Sequence, residues 1–414
     1  MKAVVVAAGE GKRLKPLTHT RPKCMIPLAG KPILHHVLES LKEAGFRDVT
    51  IVVNYLKHKI TDHFGDGRKL GIRINYAEQK ETNGTAGAFL AAENYVDDDF
   101  FGMAADIITE SAAIKRLVSS HEGEITIGLK EIADPKEYGI AIMKRSKIVN
   151  FEEKPKIPKS NLINCSMYVF NENIFRDIRE IRRSERGEYE ITDLIKKLAP
   201  KGNVKGVRIS EFWQDLGLPW QLFDANEFIL NKMPARKEGK VENSRSKGKV
   251  IIEKGAHVFD SVIEGPVFIG KNTEVGPYSF IRGNSSIGES CSISDSTTVK
   301  NSIIMNNVNA KHLSYIGDSI IGENCNFGAG TQIANWRFDA GTISMEVMNR
   351  KIDTKRSKLG VIIGDNTKTG VLACVMPGKT IGDGCWIGAG VVVERDIPSG
   401  TRVFVKQNLI FEKQ

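Results

Sequence analysis

Ile263-Glu264-Gly265-Pro266-Val267-Phe268-Ile269-Gly270-Lys271-Asn272-Thr273-Glu274-Val275-Gly276 repeats an aliphatic residue every six positions, at 263, 269 and 275. The series runs on through Ile281, Ile287, Ile293, Val299 and Met305. It resumes at Ile321, Phe327 and Ile333, and again at Ile363, Thr369, Val375, Ile381, Ile387 and Val393. Glycine follows the repeat position at Gly270, Gly276, Gly288, Gly322, Gly328, Gly364, Gly370, Gly382 and Gly388. An amphipathic helix repeats every 3.6 residues and a half-buried strand every 2. A period of six fits neither. It fits short strands and tight turns wound as a parallel β-helix, with one inward residue per hexad, three hexads per coil and glycine permitting the turn.

The hexads resemble those of the hexapeptide acyltransferase family, a resemblance that implies left-handed coils, against the usual right-handed crossover. Two breaks interrupt the register. From Met305 to Ile321 the spacing is not a multiple of six, and a long polar loop is inserted between Ile333 and Ile363. Loops on a repetitive scaffold are where function concentrates.

N-terminal to the repeat, Met233–Lys249 is polar, basic and poor in apolar residues, which reads as a linker. Before it, residues 1–232 alternate apolar strands (Ala3–Ala8, Val49–Val53, Ile72–Ala77, Phe100–Ala105, Ile125–Leu129) with amphipathic segments (Ile33–Ala44, Thr85–Tyr95, Ser111–His121). That alternation predicts an α/β domain with a parallel sheet, extended by antiparallel strands after Tyr138. The expected chain is a Rossmann-like mixed-sheet domain over 1–232, a linker over 233–249 and a left-handed β-helix over 250–414.

The first strand opens into Ala7-Ala8-Gly9-Glu10-Gly11-Lys12-Arg13-Leu14-Lys15-Pro16-Leu17-Thr18, with Lys23 soon after. A strand followed by a glycine-rich turn exposes backbone N–H groups that can cradle phosphate. The dinucleotide fingerprint fails at Leu14, and the Walker loop is absent. The longer string resembles the sugar nucleotidylyltransferase family. In that resemblance Ala8, Gly9 and Gly11 hold the nucleotide, Gln79, Gly84 and Thr85 read the base, and Asp106 and Asp215 bind Mg²⁺. Arg13 and Lys23 stabilise phosphate charge, while Gly139, Glu153, Lys154 and Asn164 hold the sugar phosphate. Ala105 departs from the family's usual glycine. The residue types suit the chemistry, because joining a sugar 1-phosphate to a nucleoside triphosphate is mostly positioning and charge neutralisation.

Composition agrees with small anionic substrates. Of 414 residues 41% are hydrophobic and 26% charged, with a net charge of +9 and no arginine-rich arm, so neither nucleic acid nor membrane is expected as partner. No run approaches the roughly 18 apolar residues of a membrane span. The first strand is too short for a signal-peptide core, so a cytoplasmic protein is expected. The six cysteines form no CxxC pair or zinc cluster, and no disulfide is expected.

At the first break in the hexads stands Asn309-Ala310-Lys311-His312-Leu313-Ser314-Tyr315-Ile316-Gly317-Asp318, and Asn326 and Ala334-Asn335-Trp336 follow. Together the two halves resemble the bifunctional family that joins an N-acetylglucosamine-1-phosphate uridylyltransferase to a glucosamine-1-phosphate acetyltransferase. The resemblance implies His312 as general base, and Arg282, Lys300, Tyr315, Asn326 and Asn335 as the amino-sugar-phosphate site. Ala329, Val371 and Ala389 would contact acetyl-CoA, with UTP as second co-substrate and a homotrimer as the assembly. Trp336 departs from the tyrosine often found there. The basic loop with Arg350, Lys351, Lys355, Arg356 and Lys358 is a further candidate for coenzyme A phosphates. Two other readings fit the residues: a glucose- or mannose-1-phosphate nucleotidylyltransferase (UTP, dTTP or GTP) with a non-catalytic β-helix, and a regulatory homologue that binds nucleotide sugar. Uracil against thymine, and glucosamine against galactosamine, stay open.

Overall fold

The structure is a computed structural model and describes residues 1–81, 83–184 and 187–412. It divides into two compact units. The first comprises Met1–Glu10, Arg21–Met25 and Pro32–Leu216, the second Gly11–Thr20, Ile26–Lys31 and Gly217–Gln414.

The first unit is built on β1 (Lys2–Val6), β2 (Asp48–Val53), β3 (Arg73–Glu78), β4 (Phe100–Ala104), β5 (Ile107–Thr109), β6 (Ile125–Glu131), β7 (Gly139–Lys144), β8 (Lys147–Glu153), β9 (Leu162–Phe170), β10 (Val204–Arg208) and β11 (Trp213–Asp215). Nine of these form one sheet, ordered β3-β2-β1-β4-β9-β6-β10-β8-β7. The strands from β3 to β4 are parallel, β9 runs against both β4 and β6, and β8 pairs antiparallel with β7 and β10. The parallel half with antiparallel additions is the mixed sheet that the sequence predicts. The helices α1 (Ile33–Glu43), α2 (Lys57–Phe64), α3 (Thr85–Ala91) and α4 (Ser111–Ser119) include the three expected segments, and α3 is shorter than its apolar pattern suggests. Phe89 of α3 packs edge-on against Phe170 and Tyr168 of β9, with ring centroids 5.0 and 6.0 Å apart. Phe100 and Phe175 stack beside them at 5.4 Å. Aromatic burial of this kind contributes more than its area alone.

The second unit is a parallel β-helix of the left-handed hexapeptide class. Its strands form three parallel sheets, which we call the first, second and third faces; they begin at Arg236, Lys240 and Arg245. Consecutive coils are mostly 17 or 18 residues apart, as in Lys240↔His257 and Glu274↔Ser292. The inward column is buried and largely apolar, from Val250 and Ile252 through Ile269, Ile287 and Ile321 to Val393.

Three expectations are corrected. Residues 233–249 are not a linker: Arg236–Lys237, Lys240–Glu242 and Arg245–Lys247 are the first coil. Their basic composition marks an end coil with one side open to solvent, and Val241 supplies the apolar contact inward. Second, the break near Met305 comes from two hexads shortened to five, Val299 to Ile304 and Ile316 to Ile321. Ile304, rather than Met305, stands in register with Ile287 and Ile321. Third, the glycines after the repeat position are required chiefly by close approach. Of those nine, Gly276 alone has positive φ among the described residues. A Cβ on Gly322 or Gly364 would lie 2.5 or 2.6 Å from the side-chain oxygen of Asp365 or Asp383 in the next coil. The left-handed corner conformation falls instead on residues such as Asn307, Asn324 and Asn366, the type that tolerates it best after glycine.

The inserted loop leaves after Ile333 and carries a hairpin, Ser344–Val347 with Arg350–Asp353. Helix α5 (Gln221–Lys232) belongs with the coils: fully buried Asn226 accepts from the Ala29 N–H at 3.2 Å and donates to the Asn284 carbonyl at 2.8 Å. All six cysteines are free thiols, five of them buried.

The first coil gives a direct test. The amides of Glu238, Lys240 and Arg245 donate to Ile252, Ala256 and Ser261. Hydrogen exchange at these amides should be protected like that of the neighbouring coil. Exchange at the rate of an unfolded chain would restore the linker.

Candidate active sites

Strand ends and register assemble the acidic pair of the first unit. β4 ends at Ala104 and β5 begins at Ile107, so Asp106 occupies the turn between them. β11 runs antiparallel to β5 with Asp215 opposite Ile107, and the Leu216 N–H donates to the Asp106 carbonyl at 3.1 Å. The two aspartates, remote in sequence, are thus fixed as backbone neighbours. Lys23, on the short turn Lys23–Met25, forms an ion pair with Asp106. Burial, reinforced by the Asp106 charge, pushes the neighbouring Cys24 thiol up to about 12, so it stays protonated near neutrality.

Two carboxylates suit Mg²⁺, which usually takes one or two protein carboxylates and completes its shell with water and substrate phosphates. No group of three or more His, Cys, Asp or Glu fit to hold a metal occurs among the described residues. The donor set therefore fits a cation that arrives with phosphate better than a fully protein-ligated one.

The base-reading segment is rigid. Buried Gln79 donates from its amide to the Gly84 carbonyl at 3.0 Å and to Asn83 Oδ1 at 3.1 Å. Gly84 has φ of 105°, and a Cβ there would lie 2.4 Å from the Tyr189 carbonyl oxygen. Thr85 Oγ1 accepts from the Ile191 N–H at 3.0 Å. The brace from 189–191 has no sequence signature, and sequence reasoning missed it.

Gly139, Glu153, Lys154 and Asn164 also converge. Gly139 faces Glu153 across β7 and β8, and the Lys154 N–H donates to the Tyr138 carbonyl at 3.1 Å. Asn164 donates to the Tyr168 hydroxyl at 2.7 Å and accepts from the Ser166 N–H at 2.9 Å, beside a bulge in β9. Burial pushes the Tyr168 phenol well up, which keeps it a neutral partner. Glu153 and Lys154 enter a 720 Å³ cleft also lined by Arg182, Arg183, Lys196 and Lys197. Ala8 and Gly9 lie in the first unit, whereas Gly11 and Arg13 are grouped with the second.

In the β-helix, corners and faces sort the acetyl-site candidates. The corner between the second and third faces carries a vertical column. The Gly330 N–H donates to the His312 carbonyl, Leu372 N–H to Ala329, and Gly390 N–H to Val371. His312 and the segments holding Ala329, Val371 and Ala389 therefore stack coil upon coil. His312 has φ of 60°, and its Nδ1 lies 2.6 Å from Asp295 Oδ2 one coil below. That contact holds the ring by Nδ1 and leaves Nε2 as its outward nitrogen. Asp295 was not singled out in the sequence; its only signal is its place 17 residues before His312.

The third face brings Arg282 and Lys300 into register, with Tyr315 two residues along the next strand. Their backbones are about 4.8 Å apart. Among the described residues Arg282 Nε is buried without a hydrogen-bond partner, while the guanidinium sits 5.1 Å from the Phe280 ring centroid. An orphaned buried donor beside a lysine is a ready anion site. Buried Asp318, at the next corner, gathers the rest. It accepts from Lys300 at 3.0 Å, Asn301 at 2.7 Å and Asn335 at 2.5 Å, and Asn335 also donates to the Tyr315 hydroxyl at 3.2 Å. Asn326 is not part of this group: it pairs with Asn309 and Lys368 on the second face. Arg356 of the basic loop is engaged by Asp224 and the Phe223 ring.

The fold and these two constellations define a nucleotidyltransferase domain joined to a hexapeptide-repeat transferase. Residues 2–232 match the nucleotidyl transferase family, 263–370 the GMPPB C-terminal domain, and 360–395 the hexapeptide repeat of succinyl-transferase. The chain is 44% identical, over all of both chains, to "Bifunctional protein GlmU" of Methanocaldococcus jannaschii. It is 39% identical to the "Bifunctional sugar-1-phosphate nucleotidylyltransferase/acetyltransferase" of Sulfurisphaera tokodaii, over 97% of this chain and 99% of that one. A crystal structure of a putative glucose-1-phosphate thymidylyltransferase from Bacillus anthracis superposes with a TM-score of 0.52 at 28% identity, covering 57% of this chain and 98% of its own. The chain belongs to the bifunctional GlmU family of sugar-1-phosphate nucleotidylyltransferases/acetyltransferases.

Asp318 supplies a stability test. Asp318→Ala leaves the Lys300 ammonium and two amides without their shared acceptor. Unfolding free energy from denaturant titration should fall by about 2–4 kcal/mol. An unchanged midpoint would mean the cluster is not a structural centre.

Proposed function

We propose that the chain acetylates glucosamine 1-phosphate from acetyl-CoA and couples the product to UTP, giving UDP-N-acetylglucosamine and pyrophosphate. The observation that carries this reading is the presence of two polar constellations on one chain, each assembled by backbone register.

In the first step the amino sugar lies over the third face, its phosphate on Arg282 and Lys300. His312 Nε2 takes a proton from the ammonium or attacking amine, and Asp295 steadies the imidazolium. The amine nitrogen bonds to the thioester carbonyl carbon, the carbon–sulfur bond breaks, and coenzyme A leaves as the thiol. Val371 and Leu372, 51% and 70% exposed at the corner above His312, offer an apolar wall to the pantetheine arm. That open corner also supports a homotrimer in which a neighbouring β-helix completes the wall. Asn326, one face away, would contact the sugar only if such a neighbour presented it.

In the second step the sugar phosphate oxygen bonds to the α-phosphorus of the triphosphate, and the bond to pyrophosphate breaks. Asp106 and Asp215 would hold Mg²⁺, which supplies charge neutralisation between the phosphates. Lys23 and Arg13 offset charge on the α-phosphate and the departing pyrophosphate. Gln79, already oriented by Gly84, presents its remaining amide edge to uracil, and Glu153, Lys154 and Asn164 hold the sugar. Both co-substrates are cytoplasmic metabolites, so we assign the protein to that compartment.

Single substitutions should separate the steps. His312→Ala should lower acetyl transfer by about 10²-fold or more, yet leave uridylyl transfer to supplied N-acetylglucosamine 1-phosphate intact. Lys23→Ala should do the reverse. Undiminished acetyl transfer in His312→Ala would remove that residue as the base. A preference for dTTP and glucose 1-phosphate, with no acetyl transfer, would favour the thymidylyltransferase reading.

A further inference from the structure

The corner between the first and second faces carries a recurring contact. At four coils a side-chain oxygen accepts the N–H of the coil beneath. Asn306 Oδ1 takes the Glu289 N–H at 2.8 Å, Asp365 Oδ1 the Glu323 N–H at 2.8 Å, Asp383 Oδ1 the Asp365 N–H at 2.9 Å, and Ser399 Oγ the Asp383 N–H at 3.1 Å. One oxygen is enough for that role, as the amide of Asn306 and the hydroxyl of Ser399 demonstrate. The carboxylates at 365 and 383 each bring a second oxygen that coil stacking does not need.

Those second oxygens are engaged by the glycine-rich loop. Asp365 Oδ2 accepts from the Thr20 hydroxyl at 2.5 Å, and Asp383 Oδ2 pairs with His19 Nδ1. Ser399 Oγ lies 3.4 Å from the same His19 nitrogen. Thr20 and His19 close the segment Gly11–Thr20, which holds Arg13 and groups with the coils, whereas the flanking Gly9 and Lys23 do not. Within the segment, Thr18 Oγ1 donates to the Gly11 carbonyl at 3.0 Å, and this bond ties its two ends together. A hold on residues 19 and 20 is thereby a hold on the whole loop.

We propose that Asp365 and Asp383 of the β-helix are positioning residues for nucleotidyl transfer: through Thr20 and His19 they fix the phosphate loop that carries Arg13. This rests on the two-step reading above and adds to it, because it gives the coils a part in the step they do not catalyse. A loop that must place a charged group within a fraction of an ångström loses rate when it is left to wander. Neither aspartate belongs to the acetyl-site column or to the third-face cluster.

The carboxylate-to-amide change isolates the tether. Asp365→Asn with Asp383→Asn keeps an oxygen for each coil amide but weakens both contacts with the loop. In the full-length double variant, kcat/KM for UTP should fall about tenfold, the equivalent of one lost hydrogen bond to a charged group. Acetyl transfer and Tm should stay at the wild-type values. Tryptic cleavage within Lys12–Lys23 should accelerate, a readout of the loop that requires no activity. Asp365→Ala with Asp383→Ala should also lower Tm, because the coil caps are lost. Unchanged kcat/KM and unchanged cleavage in the amide variant would overturn the proposal. If the wild type transfers no uridylyl group but the cleavage still accelerates, the two-step reading fails while the tether stands.

Discussion

Everything in the second unit follows from one constraint: each coil must close so that its backbone amides meet carbonyls of the next. A closure of 17 or 18 residues keeps Ile269, Ile287, Ile304 and Ile321 in one buried apolar column. It also forces outward residues into columns of their own. A side chain at a corner or on a face has a neighbour about 4.8 Å above and below it, whatever the distance along the chain. That is how His312 comes to lie over Asp295, and Arg282 beside Lys300. Sites here are read vertically. The pair Tyr315 and Asn335 illustrates the point, since the residues are 20 apart in sequence and share a hydrogen bond.

The first unit solves the same problem with a sheet. There the catalytic candidates sit where strands stop: Asp106 after β4, Asp215 at the end of β11, and Gly9 after β1. Strand ends expose backbone polar groups and leave side chains free of the core. Substrate phosphates and a cation need both. The loop Gly11–Thr20 adds a second kind of support, because its last two residues are held by coil side chains.

The sequence carried the outline of the fold because periodicity reports burial. The six-residue repeat located the β-helix, and the strand–helix alternation located the mixed sheet. It failed where burial and composition part company. The first coil, 233–249, is basic because an end coil faces solvent on one side, and basic residues read as a linker. The slip from Met305 to Ile304 was invisible because both residues are apolar. Of the candidate site, Lys23, Asp106, Gln79 and His312 could be named from the sequence because each stands in a linear motif. The partners that orient them were not. Asp295, Asp318 and the Tyr189–Ile191 brace are ordinary residues in sequence, and only stacking or register makes them neighbours.

The central claim, that two consecutive transfers occur on this one chain, is tested most directly by order of appearance. Purified protein is supplied with glucosamine 1-phosphate, acetyl-CoA carrying a labelled acetyl group, UTP and Mg²⁺, and the sugars are resolved over time. The label should appear first in N-acetylglucosamine 1-phosphate and then in UDP-N-acetylglucosamine, with one pyrophosphate released per nucleotide sugar. Formation of unlabelled UDP-glucosamine ahead of any acetylated sugar phosphate would contradict the account.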